Sequence, residues 1–347
     1  MSKRIPSRTE NRDHNPERIL ALVDPLLGKL RPQDKVYRLL SELDHPPRLS
    51  LSMKSYYLAR PFIPLGLKRR LQGKRRIKVG NQWYISDLLI CEYMSRMGEE
   101  AFHAALESFW PNGNRSAIVL THDIESGAGL DFAPRVVELE KKYGFSSSWN
   151  LVPYLYPIDS AIVDQIRAAG NEIGIHGFNH DGKLYFSKRI FDKRSVRINQ
   201  ALLTYDAVGF RSAAVHRNLF WLQNLNIEYD ASCFDVDPFQ PLPGGTHALW
   251  PFRAGRFVEL PYTLPQDHVL WIQIKEKTNR IWEDKAQWLY DRYGMMMMIT
   301  HPDYLRMGDG LKLYEEFLGF LSGFPRTWKA LPRDVARWWV RIAEAAS

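Results

Sequence analysis

The stretch AIVLTHDIES, residues 117 to 126, decides how the rest of the chain is read. An apolar run leads directly into Thr121, His122 and Asp123, with Glu125 just beyond. In parallel strand–helix folds, reactive side chains gather where the strands end. An apolar strand closing in ionisable groups therefore marks the C-terminal edge of a sheet. Successive side chains of a strand face opposite ways. His122 is thus expected to point away from Asp123, in a structural role.

The same punctuation recurs downstream. NEIGI leads into His176, with His180 four positions later and Asp181 next. Arg211 follows a helical segment, Asp230 lies in IEYDAS, and MMMMIT leads into His301. One ionisable group after a strand is ordinary. Such groups at the end of strand after strand are hard to arrange for packing alone.

Between these points apolar runs alternate with helical patterns. APRVVELEKKYG and SAIVDQIRAAG read as helices closed by Gly144 and Gly170, and RSVRINQALLTYDAVG as a third. SSSWNLV and RFVELPY read as strands. The alternation predicts an α/β fold with a parallel sheet. Sustained over residues 116–305, the alternation favours a barrel over an open sheet, and no Gly-x-Gly-x-x-Gly follows the first strand, which argues against a dinucleotide-binding sheet.

Four regions are expected: a polar, disordered tail at 1–17, a mainly helical and basic segment at 18–115, a catalytic domain at 116–310, and C-terminal helices at 311–347 that pack on the barrel. DLLICEYMSRMGEEAFHAALESF reads as one helix before the boundary. Trp338 and Trp339 read as packing residues, with a glycan-lining role as the alternative.

The net charge of +8 is uneven. LKRRLQGKRRIK, residues 67–78, carries Lys and Arg throughout and no acid. With the apolar residues before it, this run suggests a peripheral contact with an anionic membrane; a solvated face is the plainer reading. A nucleic-acid partner is not expected, because no recognition motif accompanies the run. The N-terminus has no apolar core of a signal peptide, and no apolar run nears the ~18 residues of a membrane span. A cytoplasmic protein is the expectation. Cys91 and Cys233 are far apart and read as ordinary thiols.

Two histidines four apart, joined by carboxylates from another strand, make a ligand set for zinc or another divalent first-row metal. Three protein ligands leave a position open for water, as catalytic sites require.

LTHDIES, IGIHGFNHDG, GFRSAA, YDAS and MITHPD stand in the order of the five motifs of the NodB-like polysaccharide deacetylases, carbohydrate esterase family 4, which the chain resembles over residues 116–305. The resemblance implies a deformed (β/α) barrel and a divalent metal held by one carboxylate and two histidines. It implies removal of N-acetyl groups from a sugar polymer, as in exopolysaccharide biosynthesis; the basic run at 67–78 adds a lipid-linked sugar as a further candidate substrate. His176 and His180 match the metal-binding histidines. The first motif departs from the usual Thr-Phe-Asp-Asp; its Asp-x-Glu form implies Asp123 as base and Glu125 as ligand, with Asp123 as ligand left open. Arg211 matches the arginine that holds the base, although the family's following proline is missing. Asp230 matches the aspartate that orients the catalytic acid, and His301 that acid. Two alternatives stand beside this reading: a hydrolase of another C–N bond, in a cyclic imide or ureide, and a carbohydrate-binding protein without catalysis.

Overall fold

The computed structural model describes residues 49–63, 80–85, 87–107, 109–242 and 245–345. The expected tail at 1–17, the part of the expected helical segment before residue 49 and the basic run at 67–78 lie outside the described residues. Three described helices precede the sheet: α1 (Leu51–Ala59), α2 (Leu88–Met97) and α3 (Glu99–Glu107). The last two replace the single helix expected there. Gly98 takes a φ of +81°, which ends α2, and α3 starts afresh at Glu99.

The central sheet is built from β1 (Ser116–Ile124), β2 (Ser147–Leu151), β3 (Glu172–His176), β4 (Gly209–Arg211), β5 (Tyr229–Asp230), β6 (Phe252–Ala254), β7 (Phe257–Glu259), β8 (Met295–Thr300) and β9 (Thr327–Lys329). Its order is β6-β7-β5-β4-β3-β2-β1-β8, with β9 joined to β1. The helices that return the chain are α4 (Gly127–Lys142), α5 (Ser160–Ala168), α6 (Lys188–Thr204), the short α7 (Leu219–Leu222), and α8 (Arg280–Asp291). After β8 come α9 (Pro302–Leu305), α10 (Gly310–Ser322) and α11 (Pro332–Ala345).

Every residue of β1 and of β8 is buried. Strands covered on both faces read as unbroken apolar runs, which is why AIVL and MMMMI show no alternation. One pairing departs from the expected parallel sheet: β6 and β7 are antiparallel. They are joined by Gly255 and Arg256 alone, and so short a link permits only a hairpin.

The sheet curls until its ends approach. The amides of Thr263 and Leu264 both donate to the carbonyl of Met297 on β8, at 3.1 and 3.0 Å. Tyr262 bridges to Phe234 on the other side. Irregular backbone thus fills the gap between β7 and β8, and the fold is a deformed (β/α) barrel. Trp110 caps this body from the N-terminal side, its indole donating to the Tyr293 carbonyl at 2.8 Å. Trp339 is buried, and Trp338 donates to the Phe109 carbonyl, so both serve packing. Cys91 and Cys233 are free thiols, exposed and buried respectively. Among the described residues no helix is long and apolar enough to cross a membrane.

Candidate active site

Alternation along β1 sorts its polar residues. Thr121 and Asp123 face the barrel interior, where both accept hydrogen bonds from Arg211 Nη1, at 2.8 and 2.9 Å. His122 faces the helix layer. Its Nε2 lies 2.7 Å from Glu140 on α4, its Nδ1 2.8 Å from Thr300 Oγ1, and its ring stacks on Trp149.

Asp123 is almost fully enclosed. Asn150, its register partner on β2, donates to the same Oδ1 at 2.8 Å. Neither residue 150 nor its role was marked in the sequence. Gly174, opposite Asn150 on β3, makes room for that amide: a Cβ there would stand 2.1 Å from Asn150 Oδ1. Burial pushes the Asp123 carboxyl upward, but Arg211, His176, His301 and the Asn150 hydrogen bond outweigh it and hold it at about 2.

Glu125, His176 and His180 converge just above. One potential ligand atom from each lies within 4.8 Å of the other two. Glu125 Oε1 is 2.8 Å from His180 Nε2 and 3.9 Å from His176 Nε2. His176 Nδ1 faces the Arg211 carbonyl at 3.2 Å, which leaves Nε2 turned to the cluster. His180 sits at φ +54°, a left-handed conformation that histidine tolerates better than most residues. The 177–182 loop is tied down by Asp181, which takes a two-pronged ion pair from Arg194 at 2.7 and 2.6 Å.

The cluster fits a divalent cation. His180 Nε2 is buried and makes no well-directed hydrogen bond, despite its closeness to Glu125. A carboxylate oxygen with two imidazole nitrogens is the donor set of a zinc-type site. Burial raises the Glu125 carboxyl, yet His180, His176 and His301 carry it well below the usual range, so it is available as an anion. Asp123 adjoins this set, with Oδ2 3.7 Å from His176 Nδ1, while its Oδ1 is engaged by Arg211 and Asn150.

His301 follows β8 and places Nε2 3.9 Å from Glu125 Oε1. Its Nδ1 lies 2.6 Å from Asp267 Oδ1, and its backbone N–H donates to Asp267 Oδ2 at 2.7 Å. Burial alone would strip the ring of its proton; Asp267, then Glu125 and Asp123, raise it to about 10. Asp267 thus has the place the sequence reading gave to Asp230. Asp230 instead bonds Ser232 through both oxygens and lies against Glu259 on β7, its carboxyl raised chiefly by burial. The reason is topological. Asp230 ends β5, several strands from β8 in the sheet, whereas the backbone at Thr263 and Leu264 runs beside β8 and delivers Asp267 to its end. A carboxylate in LPQDH, outside any strand pattern, gave no periodic signal.

A cavity of about 580 Å³ opens over these groups. Asp123, Glu125, His176, His180 and His301 line its floor, and Tyr57 and Arg60 from the α1 end line its wall. The volume suits a sugar-sized ligand. A buried anion and a protonated imidazole face one candidate cation site, the arrangement that hydrolysis with a general base and a general acid needs.

No family model and no curated protein matches the chain. Solved structures do. A protein from Mycobacterium smegmatis assigned as a polysaccharide deacetylase superposes with a TM-score of 0.55 at 17% identity, over 68% of this chain and 93% of its own. One from Pseudomonas aeruginosa PAO1 with the same assignment gives 0.50 at 15%, over 67% and 93%. An allantoinase gives 0.49 at 14%, over 68% and 96%. The chain has the polysaccharide deacetylase fold.

Proposed function

We propose that this protein is a metal-dependent hydrolase that removes N-acetyl groups from a sugar polymer or a lipid-linked sugar. The observation that carries the reading is that Asp123 and His301 both border the Glu125, His176 and His180 cluster, Asp123 Oδ2 3.7 Å from His176 Nδ1 and His301 Nε2 3.9 Å from Glu125 Oε1; their surroundings favour the anion of one and the cation of the other. A divalent ion bound by Glu125, His176 and His180 would polarise the acetyl carbonyl and acidify water there, chemistry that can lower the barrier by several kcal/mol.

The chain's own residues supply the proton transfers. Asp123 accepts a proton from the attacking water as it adds to the carbonyl carbon. Arg211 and Asn150 fix the carboxylate through Oδ1, so that Oδ2 takes that proton. The tetrahedral intermediate collapses by breaking the C–N bond. His301 gives its proton to the departing amine, a poor leaving group until protonated. Asp267 keeps the imidazole charged and turned toward the cluster. The products are acetate and a free amino sugar.

The reading is tested by acetate release from N-acetylhexosamine oligomers with metal-replete protein. Release above the rate of an Asp123→Asn variant supports it. Opening of a cyclic imide without acetate release would replace the substrate class, and sugar binding with neither reaction would replace catalysis itself.

A further inference from the structure

Arg60 stands in the wall of the cavity, contributed from outside the sheet. It caps α1 and is half-buried. Its Nη1 donates to the His180 carbonyl at 2.8 Å, and its guanidinium lies 5.9 Å from the centre of the Tyr57 ring. Among the described residues that line the cavity, Arg60 is the one Lys or Arg. Among the described residues no carboxylate lies within ion-pair distance of it, whereas Arg211 beneath the floor is committed to Asp123.

A guanidinium offers five N–H donors in a planar fork that matches a carboxylate or phosphate. Taking a permanent cation partly out of water is unfavourable unless an anion meets it. Here one donor is used on His180, and the rest of the fork shares a cavity with the reacting groups. The other residues of that wall, Ser52, Met53, Tyr56 and Tyr57, carry no charge that could satisfy it.

Building on the deacetylase reading, we propose that Arg60 forms an anion subsite, so that the preferred substrate is an N-acetylated sugar bearing an oxyanion close to the acetamido group. A uronic acid carboxylate and a sugar phosphate present the same chemistry to the fork. The contact through the His180 backbone places this subsite beside the cluster, so the charge belongs to the reacting sugar or its immediate neighbour.

The test compares the full-length chain with Arg60→Gln and Arg60→Lys on three substrates. These are a neutral N-acetylglucosamine oligomer, an oligomer alternating N-acetylhexosamine with uronic acid, and N-acetylglucosamine 1-phosphate. The wild type should prefer an acidic substrate. In Arg60→Gln the acidic-to-neutral ratio of kcat/KM should fall about 10- to 100-fold, mainly through KM, as for a lost hydrogen bond to a charged group. Arg60→Lys should restore part of it. Preference for the second or third substrate tells carboxylate from phosphate. Equal losses on neutral and acidic substrates would overturn the subsite and leave Arg60 as a clamp on the His180 backbone. Calorimetry with glucuronate and with inorganic phosphate needs no turnover. If no substrate is deacetylated, anion binding that Arg60→Gln abolishes upholds the subsite while the reaction assignment falls; binding equal in both proteins, or in neither, overturns it.

Discussion

Asp267 grips His301 twice, with one carboxylate oxygen 2.6 Å from the ring Nδ1 and the other accepting the backbone N–H. The double contact fixes both the charge and the orientation of the imidazole. Asp267 is itself wholly buried, so the ion pair is shielded from solvent.

Asp267→Asn is expected to lower the alkaline limit of activity. As the proposed general acid, His301 would have to be protonated, and Asp267 helps raise it to about 10. Without that anion, burial is opposed by less charge, the ring loses its proton at lower pH, and activity falls off nearer neutrality. A pH profile of kcat should show the limb moving down, with turnover at pH 8 reduced on the order of 10²-fold or more. An unchanged limb would remove Asp267 from the role.

Metal content should separate the cluster from the acid. His176→Ala and His180→Ala each remove an imidazole from the Glu125 set and should lose both bound metal and turnover. His301→Ala should keep its metal and lose about 10²- to 10⁴-fold in kcat. Elemental analysis beside an acetate assay checks this. Full metal occupancy in His180→Ala would refute the ligand assignment.

Gly174→Ala should damage the site without touching a reacting group. The added methyl meets Asn150 Oδ1 in a closely packed barrel. Overpacking of this kind costs about 1–3 kcal/mol. Displacing the Asn150 amide also removes one of the bonds that hold Asp123. Denaturant unfolding should register the loss of stability, and kcat should fall more than KM rises.

Stability should decline as pH rises toward neutrality because of Glu172. Its carboxyl is buried, and burial outweighs the Tyr229 hydrogen bond and Arg333, raising it from 4.5 to about 7. The folded chain therefore keeps a proton that the unfolded chain has released. The contribution is complete below the unfolded value, shrinks between 4.5 and about 7, and is gone above. Glu172→Gln should flatten this slope and raise stability at pH 8 by on the order of 3 kcal/mol, allowing 1.36 kcal/mol per unit. Urea titrations at pH 5 and pH 8 measure it.

Much of the site was legible because it obeys a period. Asp123, His176, Arg211 and His301 each stand at or just past the end of a sheet strand, where an apolar run meets an ionisable group. The opposed facing of His122 followed from strand geometry alone. Asn150 escaped notice because its place depends on pairing register, which a single strand does not encode. Asp267 escaped because it lies on irregular backbone recruited by β8 through Thr263. Arg60 comes from far upstream, and only tertiary packing brings it to the cavity. The antiparallel turn at Gly255 was hidden for a smaller reason: RFVELPY reads as a strand, but its partner of three residues, Phe252–Ala254, is too short to show a pattern.

The pairing of β1 with β9 bears on how the protein is made. The strand that carries Asp123 is flanked by β2, β8 and β9, so two of its neighbours are synthesised some 170 to 210 residues after it. A nascent chain leaving the ribosome holds β1 through β7 for a long interval with one edge of β1, and the start of its other edge, unpaired. Such exposed apolar edges invite association with other chains. Polypeptides truncated before β8 are therefore expected to aggregate more readily than the whole chain, because the key strand comes first and its partners last.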